Sequence, residues 1–177
     1  MNPKSYLIVV LISAFVVAGL GLRNDESPLS AAKSAKQIPS FSLPKLRFPE
    51  QSLASSEVLG EITLINVWAT WCVPCRQEHG MLLQIARSGE VSIYGLNYKD
   101  NRDDAIRWLD KLGDPFVSTG FDDSGRVGAE LGVYGVPETY ILRSDGSIAY
   151  KHVGIITDEG WAKSLLPLVR KLKETRG

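Results

Sequence analysis

The spacing of apolar positions changes several times along the chain, and each change marks an element. Tyr6 to Leu22 (YLIVVLISAFVVAGLGL) is uncharged throughout and would rise roughly 25 Å as a helix, just short of a hydrocarbon core. It reads as either a cleaved signal peptide or a retained signal-anchor. Its best small-x-small cleavage site, Val16-Val17-Ala18, is poorly formed, which favours a retained transmembrane segment within residues 1–23. Lys4 precedes the run, and Arg23 is followed at once by Asp25 and Glu26. That basic bias places the N-terminus inside and carries the body across the membrane, into an oxidising compartment. Residues 24–37 are small and polar without periodicity and read as a linker. A compact domain then fills residues 38–177.

Within that domain, Ile38 to Pro49 is apolar but broken by Pro39, Pro44 and Pro49, as in an edge strand or cover segment. Ile62 to Ala69 (ITLINVWA) is nearly continuous in apolar residues, the pattern of a strand buried on both faces. A helix is predicted from the next few residues to Arg87, with Pro74 in its first turn, where a missing N–H costs nothing. Val91–Asn97 reads as a strand and Asp103–Leu112 as a helix with Ala105, Ile106, Leu109 and Leu112 on one face. Phe116–Ser118 reads as a short strand and Asp123–Leu131 as a short helix. Thr139–Arg143 and Ser147–His152 form a hairpin about Ser144-Asp145-Gly146. A last helix covers Asp158–Lys173, with Trp161, Leu165 and Leu172 at helical spacing. Strands alternating with helices and ending in a hairpin predict an α/β sandwich with a mixed central sheet.

Composition removes several classes of function. Twenty basic and twenty acidic residues give a formal net charge of zero, so nothing in the electrostatics favours nucleic acid. Only two cysteines occur, Cys72 and Cys75. A bridge between them closes almost no loop, so stabilisation is a poor reason for the pair. Cysteine attacks disulfides as a thiolate, which needs a lowered pKa and an open approach. A strand end leading into a helix N-terminus supplies both, through unpaired N–H groups and a partial positive charge. Cys75, one turn into the helix, is placed to attack a mixed disulfide formed at Cys72. This exchange calls for no cofactor.

With a buried strand before the pair, Trp71 beside it and Pro74 inside it, the chain resembles the thioredoxin superfamily. Gly135-Val136-Pro137 stands where that superfamily has its cis-proline loop. The runs NVWATWCVPCRQEH (66–79), GLNYKDNRDDAIRWL (95–109) and GVYGVPETYIL (132–142) narrow the resemblance to the CcmG/DsbE group of cytochrome c biogenesis proteins. That resemblance implies a thioredoxin-like fold behind an inner-membrane anchor, with the catalytic domain in the bacterial periplasm. It implies a reductant acting on the haem-site thiols of apocytochrome c, directly or through a partner thiol protein, and re-reduced by a membrane thiol–disulfide electron donor. Carried over by residue, Cys72 is the nucleophile, Cys75 the resolving thiol and Pro137 the cis-proline. Trp71 is a platform beside the nucleophile, and Glu78 and Glu138 match acidic positions near the site. The chain departs from thioredoxin itself at Asn66, where a buried aspartate is usual. Asn66 cannot titrate, so nearby carboxylates are the better proton acceptors.

Other readings of the same residues stay open. Glu78 and Glu138 also read as ordinary polar positions, Glu78 as a solvated helix residue. His79 reads as packing, and Asn97–Asp100 reads either as a family-specific loop near the site or as a strand end and helix cap. A general periplasmic exchange protein is a further reading of the cysteine pair. A metal-carrying module on the same fold is another, with His79 and His152 as the remaining donors.

Overall fold

The structure, a computed structural model, describes residues 36–175. The predicted anchor over Tyr6–Leu22 lies outside those residues. Among the described residues no helix is long and apolar enough to cross a membrane.

A five-stranded sheet has the order β5-β4-β3-β6-β7. Its strands are β3 Thr63–Trp68, β4 Ser92–Tyr98, β5 Ser118–Asp122, β6 Glu138–Leu142 and β7 Ile148–Val153. β3, β4 and β5 run parallel, while β6 is antiparallel to both β3 and β7. The sheet is therefore mixed, as the order of elements predicts. A separate antiparallel hairpin, β1 Ser42–Pro44 with β2 Ser52–Ala54, precedes it. Parallel neighbours need crossovers, supplied by α1 Val73–Ser88 between β3 and β4 and α2 Arg102–Leu112 between β4 and β5. The short helix α3 Arg126–Leu131 links β5 to the β6 loop.

All six residues of β3 are buried, which explains its unbroken apolar run. Alternation still sorts them by face. Leu64 packs with Met81, Leu82 and Ile85 of α1 and with Trp161, Leu165 and Val169. Ile65 and Val67 pack on the other side with Leu43, Leu53, Val127 and Leu131. Asn66 and Trp68 share the Leu64 face, so Asn66 is turned toward α1. Each large apolar side chain so buried contributes roughly 1.5–3 kcal/mol.

Three elements differ in detail from the sequence pattern. The strand expected at Phe116–Ser118 lies instead at Ser118–Asp122. Phe116 leaves the sheet edge to stack on Trp68, with ring centroids 5.7 Å apart. The strand that replaces it (STGFD) has turn-like composition because Gly120 must pass close under Leu43 of the hairpin. Residues Ile38–Pro49 yield only three strand residues, paired to a β2 that the pattern did not predict. The last helix, α4, runs as Asp158–Gly160, a π-helical turn Trp161–Leu165, and Leu166–Glu174. Pro167 accounts for the wider turn, since it has no N–H and its ring crowds the carbonyl four residues earlier. Lys36 and Gln37, at the end of the predicted linker, bond alongside Ser147 and Ile148.

Candidate active site

β3 ends at Trp68 and α1 begins at Val73, so the four intervening residues make a tight strand-to-helix turn. Cys72 is the N-cap of α1, with extended backbone, and Pro74 sits in the first turn. The Cys75 N–H points at the Cys72 sulfur from 3.0 Å. One of the orphan amides of the helix start therefore faces the atom that carries charge in a thiolate. Cys72 and Cys75 are joined as a disulfide, with Cα atoms 5.3 Å apart, and both residues are buried.

The cis-proline loop closes the other side. Val136-Pro137 is a cis peptide, Pro137 is buried, and the Val136 carbonyl lies 3.3 Å from the Cys72 sulfur. In the disulfide that sulfur has no hydrogen to donate, so this is a close contact. A Cys72 thiol could donate to the same oxygen. The Pro137 carbonyl accepts from Gly154 N–H at 2.9 Å, tying the loop to the end of β7. Two exposed apolar side chains, Trp71 and Val73, flank Cys72 in the turn, while Tyr134 on the loop, 96% exposed, has its ring against Lys151. Trp71 donates its Nε1–H to the Lys99 carbonyl at 3.0 Å.

Both acidic positions are buried at 1% exposure, so the solvated reading of Glu78 does not hold. Glu78 on α1 faces β3, accepting from Asn66 Nδ2 at 2.9 Å and from Ile156 N–H at 3.0 Å. Burial pushes its carboxyl up to about 7, against the opposing pull of the Ile156 and Asn66 hydrogen bonds. The acid that Asn66 lacks is thus delivered to the same spot from the helix. Glu138 has different company. It accepts from Tyr140 Oη at 2.8 Å and Tyr134 N–H at 3.2 Å, and pairs with Lys151 Nζ at 3.0 Å. Burial and the bond to Glu138 hold the Tyr140 phenol above its ordinary range.

His79 is packing. Its Nδ1 accepts from Trp108 Nε1 at 3.4 Å, which makes Nε2 the donor to the Gly113 carbonyl at 2.9 Å. Burial holds its pKa below the ordinary value, consistent with that neutral tautomer. Among the described residues no group of three or more His, Cys, Asp or Glu is placed to hold a metal.

Sequence reasoning offers Asn97–Asp100 as a loop near the site but does not single out Thr70, whose N–H and hydroxyl both donate to Asp100 at 2.6 Å. The Asn97–Asp100 run was the available signal, but it also reads as a strand end.

With this geometry in place, known proteins sharpen the picture. The redoxin family matches residues 33–166. A thiol:disulfide interchange protein DsbE of Pseudomonas aeruginosa is 41% identical over 165 residues, covering 93% of this chain and 90% of its own. DsbE proteins of Vibrio cholerae and Escherichia coli are 39% and 38% identical over 180 residues. Each covers 97% of this chain, and 97% and 96% of their own chains respectively. Solved structures share the fold at lower identity. A DsbF homologue from Corynebacterium diphtheriae superposes with TM-score 0.67 at 20% identity, over 78% of this chain and 88% of its own. A secreted Mycobacterium tuberculosis disulfide oxidoreductase gives 0.62 at 18% identity, over 72% and 95%.

Proposed function

Since this chain belongs to the redoxin family, and within it to the DsbE (CcmG) group of thiol:disulfide interchange proteins, we propose that Cys72 is its attacking thiol and Cys75 its resolving thiol. The general activity is protein thiol:disulfide oxidoreduction. The observation that carries the assignment of roles is the Cys72 sulfur at the α1 N-terminus, faced by the Cys75 N–H at 3.0 Å.

In the reducing direction, the Cys72 thiolate attacks one sulfur of a client disulfide. A mixed disulfide forms and the client's other sulfur leaves as a thiolate. Cys75 then loses its proton and attacks the Cys72 sulfur. The Cys72–Cys75 disulfide forms, the second client sulfur leaves, and two electrons have passed to the client. Glu78 is assigned the Cys75 proton: it follows Cys75 by one helical turn, and its carboxyl near 7 suits exchange at neutral pH. While ionised, the same carboxylate opposes thiolate formation at Cys75. Glu138, with its oxygens held by Tyr134, Tyr140 and Lys151, is assigned to fixing the loop of Pro137 rather than to carrying protons. Trp71 and Val73 offer an exposed apolar surface beside Cys72 to a polypeptide client, Pro137 holds the facing loop in its cis form, and Pro74 shapes the first turn.

The client we propose is the haem-site thiol pair of apocytochrome c, or a partner thiol protein of haem attachment, during cytochrome c maturation. A membrane thiol–disulfide carrier restores the reduced state. In this reading residues 1–23 anchor the chain in the bacterial inner membrane, residues 24–37 are the linker, and residues 38–177 work in the periplasm. The three-part resemblance of sequence and the uncharged run at Tyr6–Leu22 support it. Trapping in cells tests the assignment. Cys75→Ser should accumulate mixed disulfides with apocytochrome c or a haem-attachment thiol protein, and Cys72→Ser should accumulate none. Equal trapping by both variants overturns the roles, and trapped partners unrelated to haem attachment point to a general exchange protein.

A further inference from the structure

Two residues before the nucleophile, Thr70 is gripped by a side chain from a different crossover. Asp100 Oδ2 accepts the Thr70 backbone N–H at 2.6 Å, and Oδ1 accepts the Thr70 hydroxyl at 2.6 Å. The same carboxylate takes Asn97 Nδ2 at 2.9 Å and the Asn101 N–H at 2.8 Å. All four are neutral donors, and bonds from such donors to a charged acceptor are stronger than neutral pairs.

A helix-capping duty does not explain this. Asn101 is the N-cap of α2, its own side chain accepting from Asp104 N–H at 3.1 Å. The loop is also held in an unusual shape. Lys99 has φ 48°, the one positive value outside glycine among the described residues, a left-handed conformation that a side chain with a Cβ disfavours. That turn presents the Lys99 carbonyl to Trp71 Nε1 and the next side chain to Thr70. Thr70 and Trp71, consecutive residues of the cysteine turn, are therefore anchored to consecutive residues of one loop.

We propose that Asp100 is a positioning residue of the exchange reaction, gripping Thr70 so that the turn holds the Cys72 sulfur under the Cys75 N–H. The inference rests on the reading of Cys72 as the attacking thiol. It acts through backbone geometry and not through the charge of Asp100, and the two act with opposite sign. A bare negative charge nearby disfavours a thiolate, so removing it would lower the Cys72 pKa. Losing the grip frees the turn, weakens the amide contact to sulfur and raises that pKa.

The test is a pH titration of the reduced full-length protein, following the Cys72 and Cys75 Cβ resonances separately by carbon NMR. Asp100→Asn keeps the volume but sets an amide donor against the Thr70 and Asn97 donors. Thr70→Val keeps the carboxylate and removes only the hydroxyl bond, and Thr70→Ser is the conservative control. We expect Asp100→Asn and Thr70→Val both to raise the Cys72 pKa, lowering the thiolate fraction at fixed pH about threefold, the size of a helix-terminus effect. Thr70→Ser should match the wild type. A lowered pKa in Asp100→Asn, or no shift in Thr70→Val, overturns the proposal, and Thr70→Val decides alone if Asp100→Asn does not fold. Should Cys75 prove the more acidic thiol in the wild type, the attacking-thiol reading fails, while the Cys72 shift still judges the grip.

Discussion

Two carboxylates lie equally deep in this molecule, one on each flank of the β3–β6 ladder end, and they are solvated by the protein in opposite ways. Glu78 has only two neutral donors, from Asn66 and Ile156, and burial drives its carboxyl up to about 7. Glu138 has an ammonium, a phenol and a backbone amide. A carboxyl among neutral donors can change its protonation at working pH, whereas one matched by a cation is built to hold its surroundings still. In the proposed mechanism it is the missing counter-charge, not depth alone, that suits Glu78 to take the Cys75 proton.

The largest expected effect concerns Glu78. Its folded carboxyl is raised above the unfolded value, so its contribution to stability is full at acid pH and is lost as pH rises through about 7. The change between pH 4.5 and pH 8 should be on the order of 3 kcal/mol. His79, held low, slopes the other way, so the useful quantity is the difference between wild type and Glu78→Gln in denaturant melts of the oxidised protein. A difference that is flat with pH would break the comparison. In the reduced protein the same variant should lower the Cys75 pKa and slow resolution of a mixed disulfide by roughly 10²-fold.

Lys151→Met should come next, at about 2 kcal/mol in the same melts. That is below the usual cost of orphaning a fully buried charge, because the lysine side chain is 27% exposed and reaches water. A loss under about 0.5 kcal/mol would mean that Glu138 does not depend on its cation. Tyr140→Phe removes one of three partners and should cost the least, about 1 kcal/mol, with the attack step unchanged.

Much of this was readable from the chain because it depended on local pattern. The unbroken run at β3, Pro74 after Cys72, and the hairpin about Ser144-Asp145-Gly146 each specify their element through neighbouring residues. The cysteine turn followed from the same logic. What escaped was set by tertiary contact. β5 looks like a turn until the β1–β2 hairpin is laid across Gly120. The depth of Glu78 depends on β3 alternation turning Asn66 toward α1, although the absence of an acid at Asn66 did signal that another carboxylate was needed. The Thr70–Asp100 contact joins two crossovers thirty residues apart, and no periodicity encodes it.

The source of the buried acid has a mechanical consequence. An acid on β3 would belong to the sheet, and its distance to the resolving sulfur would change whenever α1 tilted or slid against the strands. Here Cys75 and Glu78 are three residues apart on one helix, so their spacing is a property of α1 itself. In the proposed mechanism the step from Cys75 to Glu78 therefore keeps its length however α1 sits on the sheet, and only the bonds of Glu78 to Asn66 and Ile156 register such a shift.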